Sequence, residues 1–214
     1  MFARALIILP CVAAIAAAQV PGAPVLQNAF ANPGLAVAVN FGSGTGQSFF
    51  GAAGAWGIGS GRIQVSGAAG GQRANGSSRG AYGGRVAVAV WSSSGGALGV
   101  SGFGGVGGAT STRLKGVLTN PAVTNMPVGL SVGYRRPLGA TRGVSAYASP
   151  LYRWTRTDSA GTIISEGSMR GAVGLDFAFS QSLGITVGGE FGGQSGNSGT
   201  GLFGVGVSFV PGRR

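Results

Sequence analysis

Histidine is absent from the 214 residues of this chain, and cysteine occurs once. Histidine is the usual general base near neutral pH, and without one a serine nucleophile has no ordinary activator. Metal chemistry is short of donors too, because the 4 acidic residues are spread over separate segments. Charge of either sign is scarce. Asp, Glu, Lys and Arg make up 9% of the chain, against about 25% in soluble domains. No helix-length apolar run follows the first twenty residues, and a membrane-spanning helix needs roughly 20 consecutive apolar positions. A helical membrane protein is therefore excluded. Glycine-rich runs such as Gly102-Phe103-Gly104-Gly105 lack the Gly-Lys-Ser/Thr that makes a phosphate loop.

Glycine itself is abundant, at 45 residues. It weakens helix interiors, and the strict three-residue period of collagen is missing. What remains is an all-β or a disordered chain, and alternation of apolar residues decides between them. The excess of cations, 15 Lys and Arg over 4 acids, is dispersed arginine with no run longer than a pair. Phosphate-backbone binding wants a concentrated patch, so nucleic acid is not an expected partner.

Residues 1–18 read as a cleaved signal peptide: Arg4 in a positive n-region, an apolar stretch to Ala17, and Ala16-Ala17-Ala18 as the small-residue cleavage site. Cys11 follows Pro10 rather than a small residue and is read as filler, so the exported chain has no thiol. Residues 19–32 are an N-terminal lead-in, open between a periplasmic approach, a lumen plug and an extra strand. The organisation read from the sequence continues with a barrel over 33–210 and a tail at 211–214.

Period-two alternation recurs along the rest, the signature of strands with two unlike faces. Leu35, Val37, Val39 and Phe41 share one parity. Val86, Val88 and Val90 oppose Arg85, Ala87 and Ala89; Val128, Leu130, Val132 and Tyr134 oppose Gly129, Ser131, Gly133 and Arg135. Met169, Val173, Leu175, Phe177 and Phe179 oppose Arg170, Ala172, Asp176 and Ala178. About ten such segments are expected, with eight as the alternative, and the region around Phe103 is the least regular. The second face is mostly Gly, Ala and Ser. A soluble sheet would place charges there; small residues instead suit a narrow lumen, with the large apolar set facing lipid. The fold class expected is all-β, a closed antiparallel transmembrane β-barrel behind a signal peptide. Connections at 44–47, 71–80, 109–126, 156–162 and 193–199 are read as outward, and shorter ones near 60–61, 92–96, 137–142 and 180–181 as inward. Aromatic residues fall near strand ends, as interfacial girdles do. Trp91 sits on the wrong parity and is assigned to a turn.

With these residues in view, the chain resembles the small outer-membrane β-barrel families, the OmpA-like and opacity-type barrels. Its end sharpens the likeness. Gly204-Val205-Gly206-Val207-Ser208-Phe209 is similar to a terminal β-signal, with Gly204, Val207 and Phe209 in the diagnostic places. It departs from that signal in having Leu202 where a polar residue is usual and residues 210–214 after the aromatic. The resemblance implies an outer-membrane location, with membrane lipids, lipopolysaccharide and the barrel-assembly machinery as partners. It implies no particular activity. The enzymatic barrels it resembles (phospholipases, deacylases, palmitoyl transferases, omptin-type proteases) depend on histidine, so no enzyme, cofactor or metal is expected.

The functional candidates are lumen charges: Arg62, Arg85, Arg135, Arg153, Arg170, Asp176 and Glu190. They form either a network in which the arginines pair with the two acids or a cationic lining that favours anions. Loop 109–126, with Arg113 and Lys115, offers cations toward lipopolysaccharide phosphate. Three functions follow: a structural or surface-interaction barrel, a narrow porin-like channel, or a secreted glycine-rich adhesin.

Overall fold

The computed structural model describes residues 20–21, 23–30, 33–59, 61–114, 116–193 and 201–211. The signal-peptide reading, Lys115, most of loop 193–199 and nearly all of the tail lie outside the described residues.

The strands are β1 (Gly34–Gly44), β2 (Gln47–Ile58), β3 (Ile63–Ala74), β4 (Ser77–Ser92), β5 (Leu98–Ala109), β6 (Thr112–Leu114), β7 (Val117–Asn120), β8 (Ala122–Pro137), β9 (Gly143–Ser159), β10 (Thr162–Ala178), β11 (Leu183–Gly192) and β12 (Leu202–Phe209). Ten of them form one closed antiparallel barrel, β1-β2-β3-β4-β5-β8-β9-β10-β11-β12, while β6 and β7 make a separate hairpin. Closure runs between the first and last strands, from Val37 opposite Phe209 to Gly44 opposite Leu202. Every ladder thus has two neighbours and no sheet edge is left open, as a hydrocarbon environment requires.

The faces are distributed opposite to those of a soluble protein. Leu35, Val39, Phe50, Trp56, Val65, Val88, Leu130, Leu175, Phe191 and Phe209 are all exposed on the outside. Gln64, Ser66, Gln72, Ser101, Asn125, Ser131, Ser145, Ser149, Thr186 and Ser208 are buried inside. Phe41 and Phe50, paired across β1 and β2, place their rings 5.0 Å apart at the rim. Among the described residues no helix is long and apolar enough to cross a membrane; the crossing is made by strands.

The two ends differ. One carries four short turns, at 59–62, 93–97, 138–142 and 179–182. The other carries the β6–β7 hairpin and the projecting ends of β8, β9 and β10, which are 16, 17 and 17 residues long. A membrane strand needs only about 9–11. Outer-membrane barrels carry their longer connections on the outer side, and the longest one between described strands, from β5 to β8, lies with the projecting strands, so the hairpin end is the outer one.

Three expectations change. The outward connections 71–80 and 156–162 are not open loops. They are long hairpins closed by Asn75-Gly76 and Ala160-Gly161, with φ of 48° and 76°, and 52° and 92°. Positive φ at both central positions is what a two-residue hairpin turn demands, and it lets the strands continue beyond the bilayer. Loop 109–126 likewise contains β6, β7 and the start of β8. Trp91 lies in β4 rather than in a turn: the register with β5 shifts between Ala89 and Trp91, and this bulge carries its ring to the outer face.

Candidate functional site

The lumen is occupied by a segment of the chain itself, residues 20–21 and 23–30. This strap has no ladder partner, so the extra-strand alternative does not hold, and all of its described residues are buried. Its course follows from its contacts. Val20 and Ala23 pack with Phe49, Ala81 and Ala109, at the outer ends of β2, β4 and β5. Val25 lies midway, against Ala87, Phe103, Leu151 and Ala172. Phe30 reaches the periplasmic end, where the Arg135 guanidinium sits 4.6 Å from its ring centre. The strap therefore runs from the outer mouth inward, opposite to β1, which follows it. An extended chain advances about 3.3–3.6 Å per residue, enough for this segment to cross a bilayer-thick barrel.

Polar contacts fix its position. The Val25 N–H donates to Glu190 Oε2 at 2.9 Å. The hydroxyls of Ser131 and Ser149 donate to the Gln27 carbonyl at 2.6 and 3.0 Å. Asn28 Nδ2 donates to Ser145 Oγ at 2.6 Å and to Asp176 Oδ2. Such buried groups would each cost about 1–3 kcal/mol if left without partners, so these contacts tie the strap to the wall; Gln27 Oε1 alone of the strap's polar side-chain atoms is buried without a partner among the described residues. Apolar contacts add to this. Burying a side chain such as Val25 or Leu26 contributes about 1.5–3 kcal/mol.

Lumen glycines make the room. A Cβ at Gly99 would stand 2.6 Å from Phe30 Cε1, and one at Gly133 would stand 3.0 Å from Ala29 Cβ. At Gly188 it would meet Leu26 Cδ2 at 2.7 Å, and at Gly204 it would meet Pro24 Cγ at 2.6 Å. Contacts under 3.0 Å are essentially never made by real Cβ atoms and one at 3.0 Å forces the neighbour to give, so the small residues on the inner face are the mould of the strap.

The charged candidates fall into separate groups. Glu190 is the hub: Arg153 Nη2 lies 2.5 Å from Oε2, and Arg170 Nε bonds Oε1. Asp176 takes no arginine. It accepts from Thr186 Oγ1 at 2.5 Å, from Ser145 Oγ at 2.9 Å and from Asn28. Arg85 is buried 5.8 Å over the Phe103 ring, with Nη2 3.5 Å from the Leu26 carbonyl. Arg135 donates from Nε to the Gly96 carbonyl at 2.7 Å as it stacks on Phe30. Arg62 departs from its expected place. Positive φ at Gly59 and Gly61 ends the alternation, so Arg62 sits exposed in the β2–β3 turn and lines the inner mouth beside Phe30 and Arg135. Among the described residues no group of three or more acids, histidines or cysteines stands ready for a metal.

The candidates at the end of the chain are arranged by strand parity. Val207 and Phe209 face outward on β12, opposite Val39 and Val37 of β1. Gly204 faces inward, against Pro24 of the strap.

The residues overlooked in the sequence are those of the strap, chiefly Val25, Gln27 and Asn28, and their wall partners Phe103, Leu151, Ser131, Ser145 and Ser149. One signal was available. Phe49, Phe103 and Leu151 are large apolar residues on the inner parity, where an open aqueous lumen would have no use for them.

A closed barrel of ten antiparallel strands, apolar outside and polar inside, is an outer-membrane barrel: hydrocarbon surrounds it, and closure of the ring leaves no sheet edge open toward lipid among the described residues. No protein family and no curated protein sequence matches the chain. Solved structures similar to it include the translocator domain of the autotransporter NalP from Neisseria meningitidis. That likeness has 16% identity and a TM-score of 0.48, and covers 82% of this chain and 86% of that one. The N-terminal β-barrel domain of OprF from Pseudomonas aeruginosa matches at 8% identity and a TM-score of 0.36, over 82% and 95%. Ail, the attachment invasion locus protein of Yersinia pestis, matches at 11% and 0.40, over 83% and 98%.

Proposed function

We propose that this protein is a non-enzymatic outer-membrane barrel held shut by its own N-terminal segment, with a structural or surface-interaction role. The observation that carries the reading is the strap: residues 20–21 and 23–30 run through the lumen and bond to its wall through Val25, Gln27 and Asn28. A passive pore needs a continuous water path, and this one is filled. The absence of histidine from the sequence supports the non-enzymatic part.

What the barrel offers to the surroundings is its outer end. The β6–β7 hairpin, with Arg113 exposed, stands there against the β3–β4 turn through Asn120 and Thr112, and the β8–β9–β10 sheet projects from the same end. Contacts from this end to lipopolysaccharide phosphate, and recognition of Gly204, Val207 and Phe209 by the barrel-assembly machinery, belong to the same proposal.

A second reading is favoured by one observation. Arg85, Arg135, Arg153 and Arg170 outnumber Asp176 and Glu190 along the lumen, so a barrel emptied of its strap would have an anion-preferring lining. Planar-bilayer recording separates the two. The folded chain from residue 19 onward is expected to carry no steady current, and the same chain lacking residues 20–30 is expected to pass anions. Steady conductance by the chain with its strap in place would overturn the proposal.

A further inference from the structure

Above the strap the barrel opens into a cavity of about 300 Å³ at its outer mouth. Its floor is Pro21, and its walls come from six strands: Gln47 of β2, Gln72 of β3, Arg79 of β4, Asn125 of β8 and Arg153 of β9 are among them. β10 adds Glu166, Ser168 and Arg170. The volume is at the lower end of the range for small-molecule sites.

The side chains are set up rather than loose. Arg79 Nε donates to Gln72 Oε1 at 2.7 Å, and Gln72 Nε2 donates to Gln47 Oε1 at 2.9 Å. Arg79 Nη1 is tied to the Pro121 carbonyl, which anchors the approach to β8. Thr155 Oγ1 donates to Asn125 Oδ1 at 3.0 Å. Arg153 is buried, Glu190 engages its Nη2, and its Nε has no hydrogen-bond partner among the described residues. Three guanidiniums (Arg79, Arg153, Arg170) face two carboxylates (Glu166 and the underlying Glu190), so the cavity keeps a net positive charge.

We infer that this outer cavity is a binding site for a small hydroxylated oxyanion, a soluble sugar phosphate or sugar carboxylate. The guanidiniums suit the oxyanion, since planar donors match phosphate and carboxylate oxygens. The ring of amides and hydroxyls suits a polyol. The cavity lies inside the circle of strands, so a lipid headgroup tethered to acyl chains outside that wall is not the occupant. The site rests on the plugged reading through Pro21, which closes its floor.

The test is calorimetric titration of the detergent-folded barrel with glucose 6-phosphate and glucuronate, with glucose as the neutral control. Saturable binding of at least one anion, and none of glucose, is expected. Arg79→Gln should weaken it by about 10-fold or more, the scale of a lost charged hydrogen bond. Glu166→Gln, which removes a repelling carboxylate from the exposed part of the wall, should tighten it. Folding of each variant is checked by heat-modifiable migration on gels. No saturable binding of either anion by the parent barrel overturns the site, and so does a pair of folded variants that both bind like the parent. Conductance of the same preparation reports on the plug separately: a silent barrel that fails to bind removes the site and leaves the plugged reading intact.

Discussion

Replacing Glu190 with alanine is the perturbation that reaches furthest through the lumen. Its carboxylate is fully enclosed and serves three groups at once: Arg153, Arg170 and the Val25 N–H of the strap. Removing one partner of a buried ion pair costs about 3–5 kcal/mol, because the other charge is left in a poor environment. Here two guanidiniums lose their counter-charge, both with side chains only 8% exposed, and a strap N–H loses its acceptor. Repulsion between the arginines adds to this, while water entering from the outer cavity subtracts from it. The expected loss for Glu190→Ala is therefore about 3–5 kcal/mol, with Glu190→Gln smaller because an amide oxygen still accepts. The triple variant Glu190→Met, Arg153→Met, Arg170→Met should recover much of the loss, since no orphaned charge remains. Urea titration of the barrel refolded in lipid vesicles, followed by the folded band on unboiled gels, reads these differences. If Glu190→Ala lies within about 1 kcal/mol of the parent, below the range for a broken buried pair, then Glu190 does not hold the strap and the charge reasoning fails.

Other predictions address the two faces and the mould. Leu130 is 52% exposed on the outside of β8. Leu130→Arg should cost about 2–4 kcal/mol in vesicles if that position lies near the bilayer midplane, and little if the face meets water. Gly99→Ala places a methyl 2.6 Å from Phe30 and should cost about 1–3 kcal/mol as overpacking. Combined with Phe30→Ala the same change should be close to neutral, a coupling that urea titration of the four variants measures. In planar bilayers, deletion of residues 20–30 should turn a silent barrel into an anion-preferring one.

The wall of this molecule was legible in its sequence because a strand between lipid and lumen has a period of two. Val128, Leu130, Val132 and Tyr134 against Ser131 and Gly133 announce their faces without any knowledge of neighbours. Turn chemistry is legible in principle at Asn75-Gly76, the pair that closes the β3–β4 hairpin. The strap was harder. It has no ladder, so it has no period, and Pro21 and Pro24 interrupt any alternation. Its place is set by partners more than a hundred residues away, such as Ser131 and Ser145, which local spacing does not reveal. The glycines at 99, 133, 188 and 204 read as generic small lumen residues, and only the fold shows that each borders a strap side chain. The charges were partly legible. Arg85, Arg153, Asp176 and Glu190 lie inside as their parity requires, whereas Arg62 falls in a turn where parity stops. That Asp176 binds hydroxyls and an amide rather than an arginine is a matter of register across β9, β10 and β11.

The central claim is that residues 20–30 lie within the barrel, and a cross-link tests it most directly. A Cβ at Gly133 stands 3.0 Å from Ala29 Cβ, and disulfides hold Cβ atoms about 3.5–4.5 Å apart, so the pair forms once the strap draws back by about 0.5 Å. The only native cysteine, Cys11, lies in the segment read as signal peptide. In the barrel from residue 19 onward carrying Ala29→Cys and Gly133→Cys, mild oxidation of the folded form should link the pair nearly completely, while each single variant stays a free thiol. A folded double variant whose two thiols both remain open to alkylation after oxidation would place the strap outside the lumen and contradict the account.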